Sequence, residues 1–120
     1  MGLSKRLMAV GLPAETSKAI NGIVQVYASV STTVTQAGAT PLLSDINIIP
    51  NAQAAGAVLL PSDAIVGDFV TVTNFTGNNI SIFGTAGETV NGGAPNAALV
   101  LATGTSVQLQ QVTNIAWYAT

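Results

Sequence analysis

The chain is punctuated into short runs, and several of them alternate strictly between apolar and polar residues. In DFVTVTN (68–74), Val70 and Val72 point one way while Thr71 and Thr73 point the other. Ile80 and Ile82 repeat the pattern around Ser81, and Val107 and Leu109 repeat it around Gln108. A period of two is the period of a strand with one buried face, and it does not fit a helical stripe. Further runs at LLSDINII (42–49), AVLL (57–60), ALVLA (98–102) and NIAWYA (114–119) read as strands of similar length. Between the runs lie PSDAIVG, FTGN, TAGE, NGGAPN, TGT and TN, rich in the residues that make turns. Many short strands, each with one apolar face, predict an antiparallel β-sandwich or barrel. A faint echo links 57–74 with 98–114: an apolar run, a polar turn, a longer alternating run, then Thr-Asn. It is consistent with two similar hairpins.

The first third reads differently. Residues 1–12 form an arm, basic and then apolar, with Gly11 opposing helix. In PAETSKAING, Pro13 suits a first helical turn, Glu15 and Lys18 complement the helix dipole, and Gly22 ends it, so a short helix is expected at 13–21. From 23 to 35 Val24, Val26, Ala28, Val30 and Val34 share one parity. A helical stripe through Ile20, Ile23, Val24 and Tyr27 competes, but β-branched residues favour strand. The expected organisation is an arm and helix at 1–22 that serve as an anchor, a strand and linker at 23–41, and a β-sandwich at 42–120.

Charge bounds what the surface can be for. Only 7% of the 120 residues are charged, against about 25% in ordinary domains. Such a chain stays in solution either because copies or partners cover its surface, or because Thr, Ser, Asn and Gln solvate it; both are expected. The bases Lys5, Arg6 and Lys18 all precede residue 19, while Asp45, Asp63, Asp68 and Glu88 follow. This asymmetry suggests that the two ends face different surroundings. The start MGLSKRLMAVGLPA imitates a signal peptide with too short an apolar core, and no run reaches a membrane span. No membrane partner is expected.

Chemistry is sparse. With no His and no Cys, a Ser or Thr nucleophile lacks the usual base, and no phosphate-binding or nucleophile-elbow motif is present. Asp63 and Asp68 flank AIVG as a conceivable carboxylate pair, but isolated acids at a turn and a strand start are the simpler reading. GETVNGG lacks a lysine and a following helix; its NGG supplies turn positions. Asn74-Phe75-Thr76 and Asn79-Ile80-Ser81 match a glycosylation sequon, as chance allows in so Asn- and Thr-rich a chain. Tyr27, Phe75, Trp117 and Tyr118 are candidate core or inter-subunit anchors. The acidic balance opposes nucleic-acid binding. No cofactor or metal and no enzymatic activity is expected.

Leu60-Pro61, Val66-Gly67-Asp68, Val70 to Asn74, Gly87 to Ala94 and the terminal Trp117-Tyr118 together resemble small β modules of tailed-bacteriophage virion proteins. Capsid decoration proteins, head fibres and tail-fibre segments carry such modules, and the leader LMAVGLPAETSKAI is similar to the start of these proteins. The resemblance implies a structural virion subunit with no catalytic residues, often trimeric, that binds the major capsid protein on the capsid surface after synthesis in the host cytoplasm. The alternative it leaves open is a fibre or adhesin module that grips host glycans. On the first reading Leu3, Lys5, Arg6, Leu7, Met8, Val10 and Leu12 are the candidate capsid-anchoring residues.

Overall fold

The computed structural model describes residues 24–120, which are all-β with no helix among them. The arm at 1–12 and the helix expected at 13–21 lie outside the described residues. Ten strands follow: β1 Val24–Val26, β2 Thr40–Pro41, β3 Ile46–Ile49, β4 Gly56–Leu59, β5 Phe69–Asn74, β6 Ile80–Phe83, β7 Thr89–Val90, β8 Leu99–Leu101, β9 Thr105–Thr113 and β10 Ala116–Ala119. The runs read as strands from residue 42 onward each overlap one of these strands. Two short strands, β2 at Pro41 and β7 at Thr89–Val90, have no alternating run to announce them.

The strands form a six-stranded sheet, ordered β1-β3-β5-β9-β10-β7, and a four-stranded sheet, ordered β2-β4-β6-β8. From β1 to β9 the chain changes sheet at every step. Val24 pairs with Ile46 and Ile46 with Thr71, so the chain lays each new strand parallel beside the one two before it. The other sheet grows in the same way through β2, β4 and β6. The result is solenoid-like stacking, completed by antiparallel pairings of β8 on β6, β9 on β5 and β10 on β9. Only β9 and β10 are both consecutive and paired.

This corrects the expectation of an antiparallel architecture, because five of the eight pairings are parallel. The physical reason is specific. Alternation reports that one face of a strand is buried; it does not report the direction of the neighbour. The turn-rich segments mark where strands stop, and here most are long enough to carry the chain to the other sheet. The echo between 57–74 and 98–114 reflects two such crossings rather than two hairpins: β4 to β5, and β8 to β9.

The two sheets share one core. Val58, Leu60, Ile80, Ile82 and Leu101 from one side meet Ile49, Val70, Val72, Leu109 and Trp117 from the other. Of residues 24–41, expected as strand and linker, β1 and β2 each stand at one end of the order of their sheets, and Tyr27 and Val30 enter the core. The long strand expected at 23–35 ends at Val26, and its parity fails there. Val24, Val26 and Val34 are exposed while Tyr27 and Val30 turn inward.

Buried amides stitch the crossings. Asn74, fully buried at the end of β5, donates to the carbonyls of Asn78 (2.8 Å) and Leu101 (2.9 Å). Its Oδ1 accepts from the Thr76 amide (2.9 Å) and hydroxyl (2.8 Å). All four hydrogen-bonding positions of the side chain are used. Asn47 is equally buried: it donates to the Ser44 and Thr71 carbonyls and accepts from the Tyr27 hydroxyl at 2.9 Å. Gln53 both donates to and accepts from the backbone of Val30. Backbone that leaves a sheet loses its ladder partners, and these side chains replace them.

Candidate functional site

With no base after Lys18, the described residues carry four ionisable carboxylates and nothing to pair with them. Glu88 is buried. Its Oε1 accepts from the Thr85 amide (2.8 Å) and from Trp117 Nε1 (3.1 Å), so it is part of the core's polar bracing. The other three, Asp45, Asp63 and Asp68, are exposed and line one open cleft of about 480 Å³. Its floor is apolar, with Leu42, Leu60 and Val70, and Leu43 and Phe69 stand exposed at its edge. Asp68 stands just before β5, as the strand-start reading expects, and its Oδ2 also accepts from the Ile65 amide at 3.0 Å. Among the described residues no group of three or more His, Cys, Asp or Glu side chains is placed to hold a metal ion. The sequence drew Asp63 and Asp68 together; it did not show Asp45 beside them, because that proximity comes from the parallel pairing of β3 with β5.

Among the described residues the rest of the surface is free of charged side chains, and its most regular part is the outer face of the six-stranded sheet. Register places its side chains in rows. Val24, Ile46, Thr71 and Gln108 form one row across four strands. Val26, Ile48, Thr73 and Ser106 form the next, with the Thr73 and Ser106 hydroxyls 2.9 Å apart. Phe69 and Tyr118 flank Gln110 in a third row. The face is half apolar and half hydroxyl or amide, and no acid or base stands within it. Asp45 and Asp68, immediately before β3 and β5, sit at one end as its rim. A shallow groove of about 310 Å³ at that end is lined by the two acids together with Ile46, Gly67, Phe69, Thr71 and Gln108.

The aromatic candidates divide between core and surface. Trp117 is 0% exposed, and Tyr27 is buried with its hydroxyl donating to Asn47 and accepting from the Leu43 amide at 3.1 Å. Burial pushes the Tyr27 phenol above its ordinary pKa, opposed in part by that Leu43 hydrogen bond. Phe75 and Tyr118 are exposed, at 56% and 43%. Leu3, Lys5, Arg6, Leu7, Met8, Val10 and Leu12 lie outside the described residues. Of the two sequons, Asn74 is buried with its amide nitrogen fully engaged, so the folded chain offers no glycan attachment there. Asn91 (φ 52°) and Gly92 (φ 78°) hold positive-φ positions, as the NGG reading expects.

No helix among the described residues is long and apolar enough to cross a membrane. Comparison with protein-family models and with curated proteins gave no match to this chain.

Proposed function

We propose that this chain is a structural virion subunit, a bacteriophage capsid decoration or head-fibre protein that binds the capsid exterior and self-associates. One observation carries the reading: a surface whose only exposed charges among the described residues are three acids gathered at one cleft. A face of Thr, Ser, Gln and aliphatic side chains meets another protein without burying ions, which is costly unless they are paired. Repetition over a shell multiplies a modest contact through symmetry and multivalency, so no single tight site is required. The two sheets are read as the layers of a sandwich built by coiling. Residues 1–22, with every base of the chain, are read as the anchor on the major capsid protein, and the β body as the outward part.

Deleting residues 1–12 tests the anchor. The truncated protein is expected to keep its cooperative unfolding and to lose attachment to purified capsids, read by negative-stain imaging with a labelled copy. Full decoration by the truncated form would refute the assignment. A glycan-binding adhesin is the second reading, favoured by Phe69 and Tyr118 flanking Gln110 on an exposed face. It predicts glycan-array binding that Tyr118→Ala removes without unfolding. Trp117→Ala is not a fair test of it, because Trp117 is a core residue.

A further inference from the structure

We propose that the outer face of the six-stranded sheet binds a second copy of this protein, like face against like face. The proposal rests on the self-association in the reading above and names the surface that performs it. Neutrality is the first argument. The rows through Thr71 and Thr73 contain no acid or base across four strands. An identical face therefore approaches without like-charge repulsion and buries no unpaired ion. A polyanion or a strongly charged protein would find no counter-charge on it. The second argument is self-complementarity. Hydroxyls and primary amides both donate and accept, so Thr71, Thr73, Ser106 and Gln108 can be satisfied by their own kind. Val24, Val26, Ile46 and Ile48 add apolar area that is exposed or half-exposed in the single chain.

The rim fixes the arrangement. Asp45 and Asp68 stand at the same end of the face, before two parallel strands. A two-fold axis lying between the faces and across the strands sets the acidic end of one copy over the opposite end of the other. Thr71, in the middle row of the central strand, then meets Thr71. From strand spacing and rise, the face measures roughly 24 by 17 Å, a footprint of about 400 Å² per copy. A pair hides about 800 Å² before side-chain relief is counted, below the roughly 1,200 Å² at which stable specific interfaces begin and in the size class of weak, transient ones. The contact is accordingly weak, with a dissociation constant in roughly the micromolar range. It makes dimers, where the phage resemblance implies a trimer.

Sedimentation velocity and native mass spectrometry of the full chain, from about 1 to 200 µM, test this. The expected result is a reversible dimer. Thr71→Lys and Thr71→Glu should each weaken it by at least about 100-fold through like-charge apposition, and an equimolar mixture of the two should restore association. Val100→Lys, on an exposed position of the other sheet, should leave the dimer unchanged, and thermal melts check that every variant folds. A wild-type monomer at 200 µM, a trimer, a dimer indifferent to Thr71→Lys, or a mixture that does not associate would overturn the proposal. A dimer formed through another surface leaves the virion reading standing. A permanent monomer that also fails to attach to capsids overturns both.

Discussion

Asn74 is the sharpest place to test the account of how this fold is held together. Its amide nitrogen faces two carbonyl oxygens, Asn78 at 2.8 Å and Leu101 at 2.9 Å, and its oxygen serves Thr76 twice. Asn74→Ala orphans the Leu101 carbonyl and the Thr76 amide, each at about 1–3 kcal/mol, so a loss of about 4 kcal/mol is expected. Against a total stability of about 5–15 kcal/mol that is a large fraction. At about 4–8 °C per kcal/mol it lowers Tm by about 15–30 °C. Asn74→Asp keeps the shape and the Thr76 bonds but turns an acceptor toward two acceptors. Its carboxyl must be protonated to donate to either one, so its folded pKa rises above the ordinary value near 3.9. A raised folded pKa means stability that is present below the unfolded pKa and lost as pH rises toward the folded one. The deficit of Asn74→Asp relative to wild type should therefore be small near pH 4 and should grow by up to about 1.4 kcal/mol per pH unit above it. The deficit of Asn74→Ala should not change with pH in this way. Urea unfolding followed through the single tryptophan, at several pH values from 4 to 7.5, measures both. An Asp variant as stable as wild type at pH 7.5, or a deficit independent of pH, would refute the orientation assigned to this amide.

Tyr27→Phe should cost about 1–3 kcal/mol, since it leaves the buried Asn47 oxygen without its 2.9 Å donor. Because burial raises the Tyr27 pKa, its contribution is complete below about pH 10 and is lost as pH climbs past that value. The variant's alkaline unfolding curve should be correspondingly flatter. Gly56→Ala should destabilise by more than about 1 kcal/mol, because its Cβ would stand 2.6 Å from the Ser31 carbonyl, a backbone atom that cannot swing aside; an unchanged melting temperature counts against this packing. Trp117→Phe should lower urea stability by about 1–3 kcal/mol, because it removes the indole volume from a fully buried site and the 3.1 Å donor to Glu88 Oε1, which keeps its bond from the Thr85 amide.

Most strands from residue 42 onward were readable in the sequence, and their partners were not. Val70 and Val72 inward, Thr71 and Thr73 half-exposed, and Ile80 and Ile82 inward around Ser81 all follow from pleat alone. Direction does not. A parallel strand inside a two-layer coil has one buried face, as an antiparallel hairpin strand does, so Ile46–Ile49 gives no hint that it lies parallel to Phe69–Asn74. The failure at 27–30 has a different origin. The chain leaves β1 after Val26, and Tyr27 is drawn inward by the hydroxyl site that Asn47 and Leu43 provide. That site is made by residues well along the chain, and no local window contains it. The same limit hid Asp45 from Asp63 and Asp68, whereas the scarcity of charge that motivates an assembling surface was plain from composition.

Parallel stacking also bears on why such a chain tolerates so few ions. In a hairpin meander the outer face of each strand is set by its own run, and a charge placed on any run marks that face. Here successive strands of one sheet come from separate passages of the chain, and the pairing superposes Val24, Ile46 and Thr71 into a single row. One acid or base in any of those passages would put a charge inside the face. The two acids nearest this face fall at strand starts, Asp45 before β3 and Asp68 before β5, where the same superposition gathers them at the rim. Excluding charge from strand interiors while admitting it at their ends thus yields a neutral sheet with an acidic edge. Solubility is ordinarily served by charges spread over every face; a distribution this segregated suits a surface that spends its time covered.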